Sequence, residues 1–202
     1  AQPELRTVQG ALEDALRLVA RELPPGPLLT VAGRTDAGVH ATAQVAHLDL
    51  DERAVDNIRR RSDDDIAAIL LRRTNGVLGR DSDVVIARVS PAPDGFDARF
   101  SAISRSYEFR IADRLTPPNP IERHRTAVVT RALDAGLMQA AAETLVGLHD
   151  FAGFCKPRPN ATTIRTLQRF EWMRDEHGVL VANLEADAFC HSMVRSLVGA
   201  CV

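Results

Sequence analysis

From Ile103 to Ile111 the chain alternates without a break: Ile103, Arg105, Tyr107, Phe109 and Ile111 form one set, and Ser104, Ser106, Glu108 and Arg110 the other. A period of two puts the two sets on opposite sides of an extended backbone, so the segment is predicted to be a strand with one buried face. The fold must therefore contain a sheet. Ile164 to Arg174 and Val179 to Glu185, joined by Asp175-Glu176-His177-Gly178, read as a hairpin that extends it. Thr126 to Thr130, after the turn Thr116-Pro117-Pro118-Asn119-Pro120, adds a further strand.

Helical spacing flanks these strands. Val8, Leu12, Leu16, Val19 and Leu23 predict an amphipathic helix over Thr7 to Leu23, stopped by Pro24-Pro25-Gly26. Leu28 to Ala32 and Gln44 to Leu50 read as strands on either side of a small, polar loop, Arg34 to Ala41. An exposed Arg- and Asp-rich stretch from Asp51 to Asp65 precedes a helix from Ile66 to Arg73 that Asn75-Gly76 can close, and Asp83 to Val89 reads as a strand. Beyond a break at Pro91, Pro93 and Gly95, Asp134 to Val146 is a predicted helix with Leu137, Ala141 and Leu145 in one row. Phe189 to Val202 is another, with Met193, Leu197 and Cys201 in line. Strands and helices recur in a similar order in both halves, which predicts two α/β lobes meeting near Pro91 to Ala98.

The bulk properties narrow the function classes. The 202 residues, 45% hydrophobic, suffice for one sizeable core or two small lobes sharing one, and disorder is not expected. No apolar run approaches bilayer-spanning length, and the opening residues AQPELRTVQGALED lack the basic flank and apolar run of a secretion signal, so a soluble, cytoplasmic protein is expected. Three cysteines, Cys155, Cys190 and Cys201, make no paired framework, and reduced thiols are expected.

A net charge of −2 argues against a nucleic-acid partner, but the distribution argues for one. Lys156 is the only lysine. Arginine suits bidentate phosphate contacts and stacking on bases. Between Arg99 and Arg131 seven arginines face three acids, a local excess of four positive charges. On charge alone, a solvated strand face and an RNA-binding face remain equal readings.

The loop Ala32-Gly33-Arg34-Thr35-Asp36-Ala37-Gly38-Val39-His40-Ala41 lies between two predicted strands, where a rigid sheet can present one carboxylate. Its small residues leave room for a ligand near the backbone. An Arg-Thr-Asp triplet between strands also reads as a turn with an Asx cap, and local chemistry leaves the choice open. The glycines match no phosphate-loop pattern. His40 and His47 have no third ligand at metal spacing, and adjacent Cys190-His191 is poor chelate geometry, so hydrogen-bonding histidines are expected and no metal. Cys155, near His149, lacks a nucleophile motif and reads as an adventitious thiol.

Three segments in order resemble the TruA family of tRNA pseudouridine synthases: Gly33-Arg34-Thr35-Asp36-Ala37-Gly38-Val39-His40-Ala41; Phe96-Asp97-Ala98-Arg99-Phe100-Ser101-Ala102 followed by Tyr107; and Ala188-Phe189-Cys190-His191-Ser192-Met193-Val194-Arg195. Thr7-Val8-Gln9 and the strand with Gln44, Val45 and His47 also fit, so the resemblance covers nearly the whole chain. It implies an α+β pseudouridine synthase fold: two similar α/β lobes sharing a mixed, mainly antiparallel sheet, helices on one side and a central catalytic cleft. Residues 1–97 would carry the catalytic Asp loop and residues 98–202 the active-site Tyr and Arg.

The resemblance also implies an activity. A uracil base is detached from its ribose, turned in the pocket and rejoined through carbon, in the anticodon stem-loop of a tRNA, by a homodimer and without a cofactor. Asp36 would be the essential carboxylate, as nucleophile or as base, ionised in a fairly dry pocket beside Arg195. Tyr107 would stack on the uracil and take part in proton removal. Arg34 would fill the space left by the flipped base or grip the backbone, with Thr35, His40, Arg99, Arg105 and Arg165 as further substrate contacts. Lys156, Arg158 and Arg165 read as an RNA-contacting flap, although Lys156 to Thr163 departs from the family's usual pattern. The family pattern also includes a glycine-rich strand ahead of the first helix and a strand past the last, both outside these 202 residues.

Two other classes compete. A non-catalytic tRNA-binding or RNA-folding protein on the same scaffold would have no need of Asp36, Tyr107 and Arg195 together. An Asp-dependent glycoside hydrolase needs a second carboxylate opposite Asp36, and Asp49 or Asp187 are the nominees.

Overall fold

The computed structural model describes residues 6–20, 23, 28–60, 62–159 and 161–202. The chain forms two compact units, Ala1–Arg34 with Thr42–Ser101, and Thr35–Ala41 with Ala102–Val202. The short run Thr35–Ala41 thus packs with the second unit although the chain on both sides of it belongs to the first.

In the first unit, helix α1 (Val8–Val19) starts where the Thr7 hydroxyl accepts from Gly10 N–H at 3.0 Å. Its buried row faces α3 (Ile66–Leu78), and Leu16, Val19, Ala20, Ile58, Ile69 and Leu70 form one apolar cluster. Strands β1 (Leu29–Val31) and β2 (Ala46–Leu48) pair antiparallel, with Val31 opposite Ala46. The buried Glu13 carboxylate ties α1 to β1, accepting from Leu28 N–H and Leu29 N–H at 3.1 Å each. Backbone donors left over at the strand's start are thereby satisfied.

Several expectations change here. The helix over Thr7 to Leu23 ends at Val19, and its Pro24-Pro25-Gly26 stop lies outside the described residues. The stretch expected to be exposed contains a helix, α2 (Glu52–Arg59), capped by Asp51 and anchored by fully buried Ile58. Helix α3 runs through Asn75-Gly76 to Gly79, whose positive φ of 84° terminates it. Residues 83–89 form no strand, because the Asn75 side chain takes up both backbone groups of Ile86, donating to its carbonyl at 2.8 Å and accepting its N–H at 2.9 Å.

The second unit is built on a five-stranded sheet in the order β4-β3-β7-β6-β5. Strand β3 (Arg105–Ala112) runs parallel to β4 (Thr126–Val128) and antiparallel to β7 (Leu180–Ala186), and β6 (Ile164–Arg174) pairs antiparallel with β7 and with β5 (Gly147–Asp150). The α+β class with a mixed, mainly antiparallel sheet is therefore the one adopted. The β6–β7 hairpin expected from the sequence is present, its turn held by Asp175, which accepts from His177 N–H and Val179 N–H.

Helices α4 (Ala135–Glu143) and α5 (Met193–Cys201) cover one face of this sheet. Ile111, Leu167, Phe170, Trp172, Leu184, Met193 and Leu197 are buried together there. The alternation of β3 holds for Tyr107, Phe109 and Ile111, but Ile103 precedes the strand and is 90% exposed. The buried row of α4 is Met138 and Ala142, one position on from the expected Leu137 row. Below the sheet's end, Asp113 is enclosed: Arg174 reaches it with both guanidinium nitrogens, and Leu133 N–H and Leu115 N–H donate to it.

Cys155 and Cys190 are joined in a disulfide, contrary to the reduced state expected of all three cysteines. Their Cα atoms are 5.6 Å apart, within ordinary bridging range, although 35 positions separate them in sequence. Cys201 remains a thiol beside Trp172, and burial pushes it above the usual thiol range.

Candidate active site

The loop after β1 is shaped by short-range bonds. Ala32 N–H donates to Val45 O at 2.9 Å, and the Gln44 amide donates to Gly33 O at 3.2 Å, so the strand pairing extends into the loop. Val39 N–H then closes a turn onto Asp36 O at 3.1 Å, with Gly38 at a φ of 79°. A side chain at that φ would be strained, which accounts for the glycine. A Cβ added at Gly33 or Gly38 would meet nothing within 4 Å, so the loop backbone is open to a ligand.

Helix α5 presents Arg195 on its first turn. Ser192, at a φ of 69°, redirects the chain after Cys190, and Met193 N–H donates to Cys190 O at 3.1 Å. Arg195 Nη2 donates to Asp36 Oδ2, an ion pair between residues 159 positions apart. Oδ1 of Asp36 takes no hydrogen bond among the described residues. The Arg195 and Asp36 side chains are 54% and 42% exposed, so the protein groups described do not themselves make the fairly dry pocket expected around this carboxylate.

Tyr107 lies on β3, half-buried, with its ring edge-on to Phe189 at 5.1 Å and 85°. Phe189 sits in the segment that joins β7 to α5, so the residue packing on the tyrosine is six positions before Arg195. Phe189 falls within the segment Ala188–Arg195, where an apolar ring carries no chemical signal of its own beside Arg195. The register places Arg105 opposite Ala186, and Leu167 opposite the same residue, so Arg105 and Arg165 lie at the end of the sheet where the chain leaves for α5. Arg105 donates to Asp187 O at 3.3 Å, and Arg165 to Ile164 O.

Arg34 and Thr35 are exposed. Arg99 stands over the ring of exposed Phe100 at 5.3 Å. His40 Nε2 bonds His124 O at 3.0 Å. His47 takes a hydrogen-bonding role, its Nδ1 accepting from Ala98 N–H at 2.9 Å. Of the seven arginines in the basic run, Arg110 is paired with Asp175 and Glu108, and Arg125 with Glu122, which leaves less free positive charge than the sequence count suggests.

Of the two nominees for a second hydrolytic carboxylate, Asp49 is 99% exposed at its side chain with His47 Nε2 3.9 Å away, and Asp187 accepts from its neighbour Ala188 N–H. Among the described residues, no three His, Cys, Asp or Glu side chains cluster as a metal site would.

Residues 141–202 match the family model for tRNA pseudouridine synthase. Over 205 aligned residues the chain is 57% identical to tRNA pseudouridine synthase A of Leifsonia xyli subsp. xyli (strain CTCB07), covering 100% of this chain and 71% of that protein. It is 55% identical to the protein of the same name from Frankia casuarinae, covering 98% of this chain and 67% of that one. With the Corynebacterium glutamicum protein of that name it shares 48% identity over 98% of this chain and 68% of the relative.

Proposed function

The chain belongs to the tRNA pseudouridine synthase A family, and from that premise we propose that it isomerises uridine to pseudouridine in tRNA with Asp36 as the reacting carboxylate. The single observation that carries the assignment of Asp36 is its ion pair with Arg195. The guanidinium occupies Oδ2 and sets a positive charge beside the carboxylate, which offsets part of the cost of removing water as the base approaches. Oδ1 is left to react.

In the reaction the C1′–N1 bond of uridine breaks, the uracil turns, and a C1′–C5 bond forms. The C5 proton leaves and N1 gains one, so no atom is added or lost overall and no oxidant is consumed. The Asp36 carboxylate acts on the sugar or the base as a nucleophile, or on the sugar as a base. Tyr107, its ring fixed by Phe189, supplies a flat surface for the uracil and a phenol oxygen for the departing C5 proton. A uridine in a folded tRNA must be flipped out of its stack to reach the loop, and Arg34, exposed two residues before Asp36, is suited to fill the gap.

The substrate region we propose is the anticodon stem-loop, held by Arg34, Thr35, Arg99, Arg105 and Arg165, in a cytoplasmic homodimer each of whose protomers has residues 1–97 and 98–202 as its two lobes. Two copies would add up the sparse basic surface of a chain with net charge −2. Phosphate contacts of this kind make binding steeply salt-dependent. Among the described residues no helix is long and apolar enough to cross a membrane. Carbodiimide treatment and primer extension on tRNA made without modification test the reading. A new stop in the anticodon arm is expected, and a stop elsewhere or none contradicts it.

A further inference from the structure

We propose that His40 is a positioning residue for the Asp36 carboxylate, acting through the main-chain carbonyl of His124 and not through RNA. This rests on the function proposed for Asp36. The run Thr35–Ala41 leaves and rejoins the first unit within seven residues, yet packs with the second. Among the described residues, two side-chain bonds tether it there: Asp36 to Arg195 on α5, and His40 Nε2 to His124 O at 3.0 Å. One of these is the reacting group itself. His40 is then the tether to the second unit that persists while the carboxylate changes its hydrogen bonds.

The second anchor is well placed for the task. Asn119 accepts Ile121 N–H on its side chain at 3.0 Å and Glu122 N–H on its carbonyl at 3.1 Å, and Arg125 N–H donates to Glu122 O at 3.0 Å, so the turn that offers the His124 carbonyl is internally bonded. Two residues later Thr126 enters β4, in register with Arg110 of β3. Tyr107 is on that same strand. The imidazole of His40 therefore fixes the Asp36 loop relative to the strand that carries the tyrosine, while Arg195 fixes it relative to α5. Between the two anchored side chains lies the Asp36–Val39 turn with its left-handed Gly38, which transmits the position of residue 40 to residue 36.

The test measures single-turnover tritium release from tRNA labelled at uridine C5, together with tRNA affinity by filter binding, for wild type, His40→Ala, His40→Gln and His40→Asn. A small misplacement of a reacting group costs rate and not affinity, so His40→Ala should lose about ten- to a hundredfold in kcat with tRNA Kd within about twofold of wild type. His40→Gln, whose amide nitrogen reaches as far as Nε2 and can donate to the carbonyl, should recover most of the rate, and the shorter Asn should not. If His40→Ala does not fold, the contrast between Gln and Asn decides alone. A weaker Kd with unchanged kcat would make His40 an RNA contact and overturn the inference, as would equal rates for Gln and Asn. Wild-type protein that releases no label overturns both this inference and the function it rests on, whereas an active wild type with an equally fast His40→Ala overturns this inference only.

Discussion

The guanidinium of Arg195 and the carboxylate of Asp36 meet as an ion pair although 159 positions separate them, and among the described residues no second side-chain hydrogen bond reaches the carboxylate. Both groups are about half exposed, and an exposed pair of this kind contributes little to stability. Its value lies in orienting one oxygen and in setting a positive charge beside the carboxylate when a substrate excludes water.

Replacement of Arg195 should therefore be a catalytic lesion with little effect on folding. Arg195→Gln is expected to lower kcat by about a hundredfold or more with the melting temperature little changed. Arg195→Lys should recover part of this, since it keeps the charge but loses the planar fork. Single-turnover kinetics alongside thermal melts check it, and a large loss of stability with kcat preserved would contradict it.

Tyr107 and Phe189 separate ring from hydroxyl. Tyr107→Phe keeps the edge-to-face packing at 5.1 Å and removes only the oxygen, so tRNA affinity should hold while kcat falls by about a hundredfold. Phe189→Ala should cost about 1 kcal/mol beyond its lost buried area and loosen the tyrosine. Denaturant titration and tRNA binding of the two variants distinguish these effects.

Asp113 makes the acid limb of stability predictable. Its carboxyl is held at about 2, chiefly by the bidentate Arg174, while burial pushes the other way. A carboxyl lowered in the folded state contributes stability that is complete above its unfolded value and is lost as pH falls toward the folded one. Unfolding free energy should thus drop by about 2 kcal/mol between about pH 4 and pH 2 from this group. Asp113→Asn should be less stable throughout and lack that part of the slope, as read from denaturant unfolding across the window.

The Cys155–Cys190 bond closes a span of 35 residues, for which chain entropy gives about 4 kcal/mol. Under non-reducing denaturation a thiol reagent should find one free cysteine, Cys201, and reductant should lower the unfolding midpoint. Three reactive thiols and no effect of reductant would contradict the pairing.

Legibility in the sequence followed the physics of each signal. The β6–β7 hairpin and the buried face of β3 were visible because a period of two survives in side-chain order. Helix α2 was not, because Ala54 and Ile58 are its only buried positions amid charges. Residues 83–89 look like a strand but have their backbone bonds taken at Ile86 by Asn75, a tertiary event with no periodic trace. Leu137 and Met138 are both apolar, and only the docking of α4 decides which faces the core. At the site, resemblance to known motifs singled out Asp36, Tyr107 and Arg195, and the structure pairs Asp36 with Arg195. The anchor of His40 was not, since a main-chain carbonyl has no letter of its own. The disulfide required two cysteines to be close in space, which spacing does not reveal.

The most direct measurement is tritium release from tRNA labelled at C5 of uridine, with wild type and Asp36→Asn side by side. Loss of the C5 proton is obligatory when the new bond forms at that carbon, so wild type should release label and Asp36→Asn, folded and still binding tRNA, should release none. Equal release by both proteins, or free uracil in place of a rejoined base, would contradict the account.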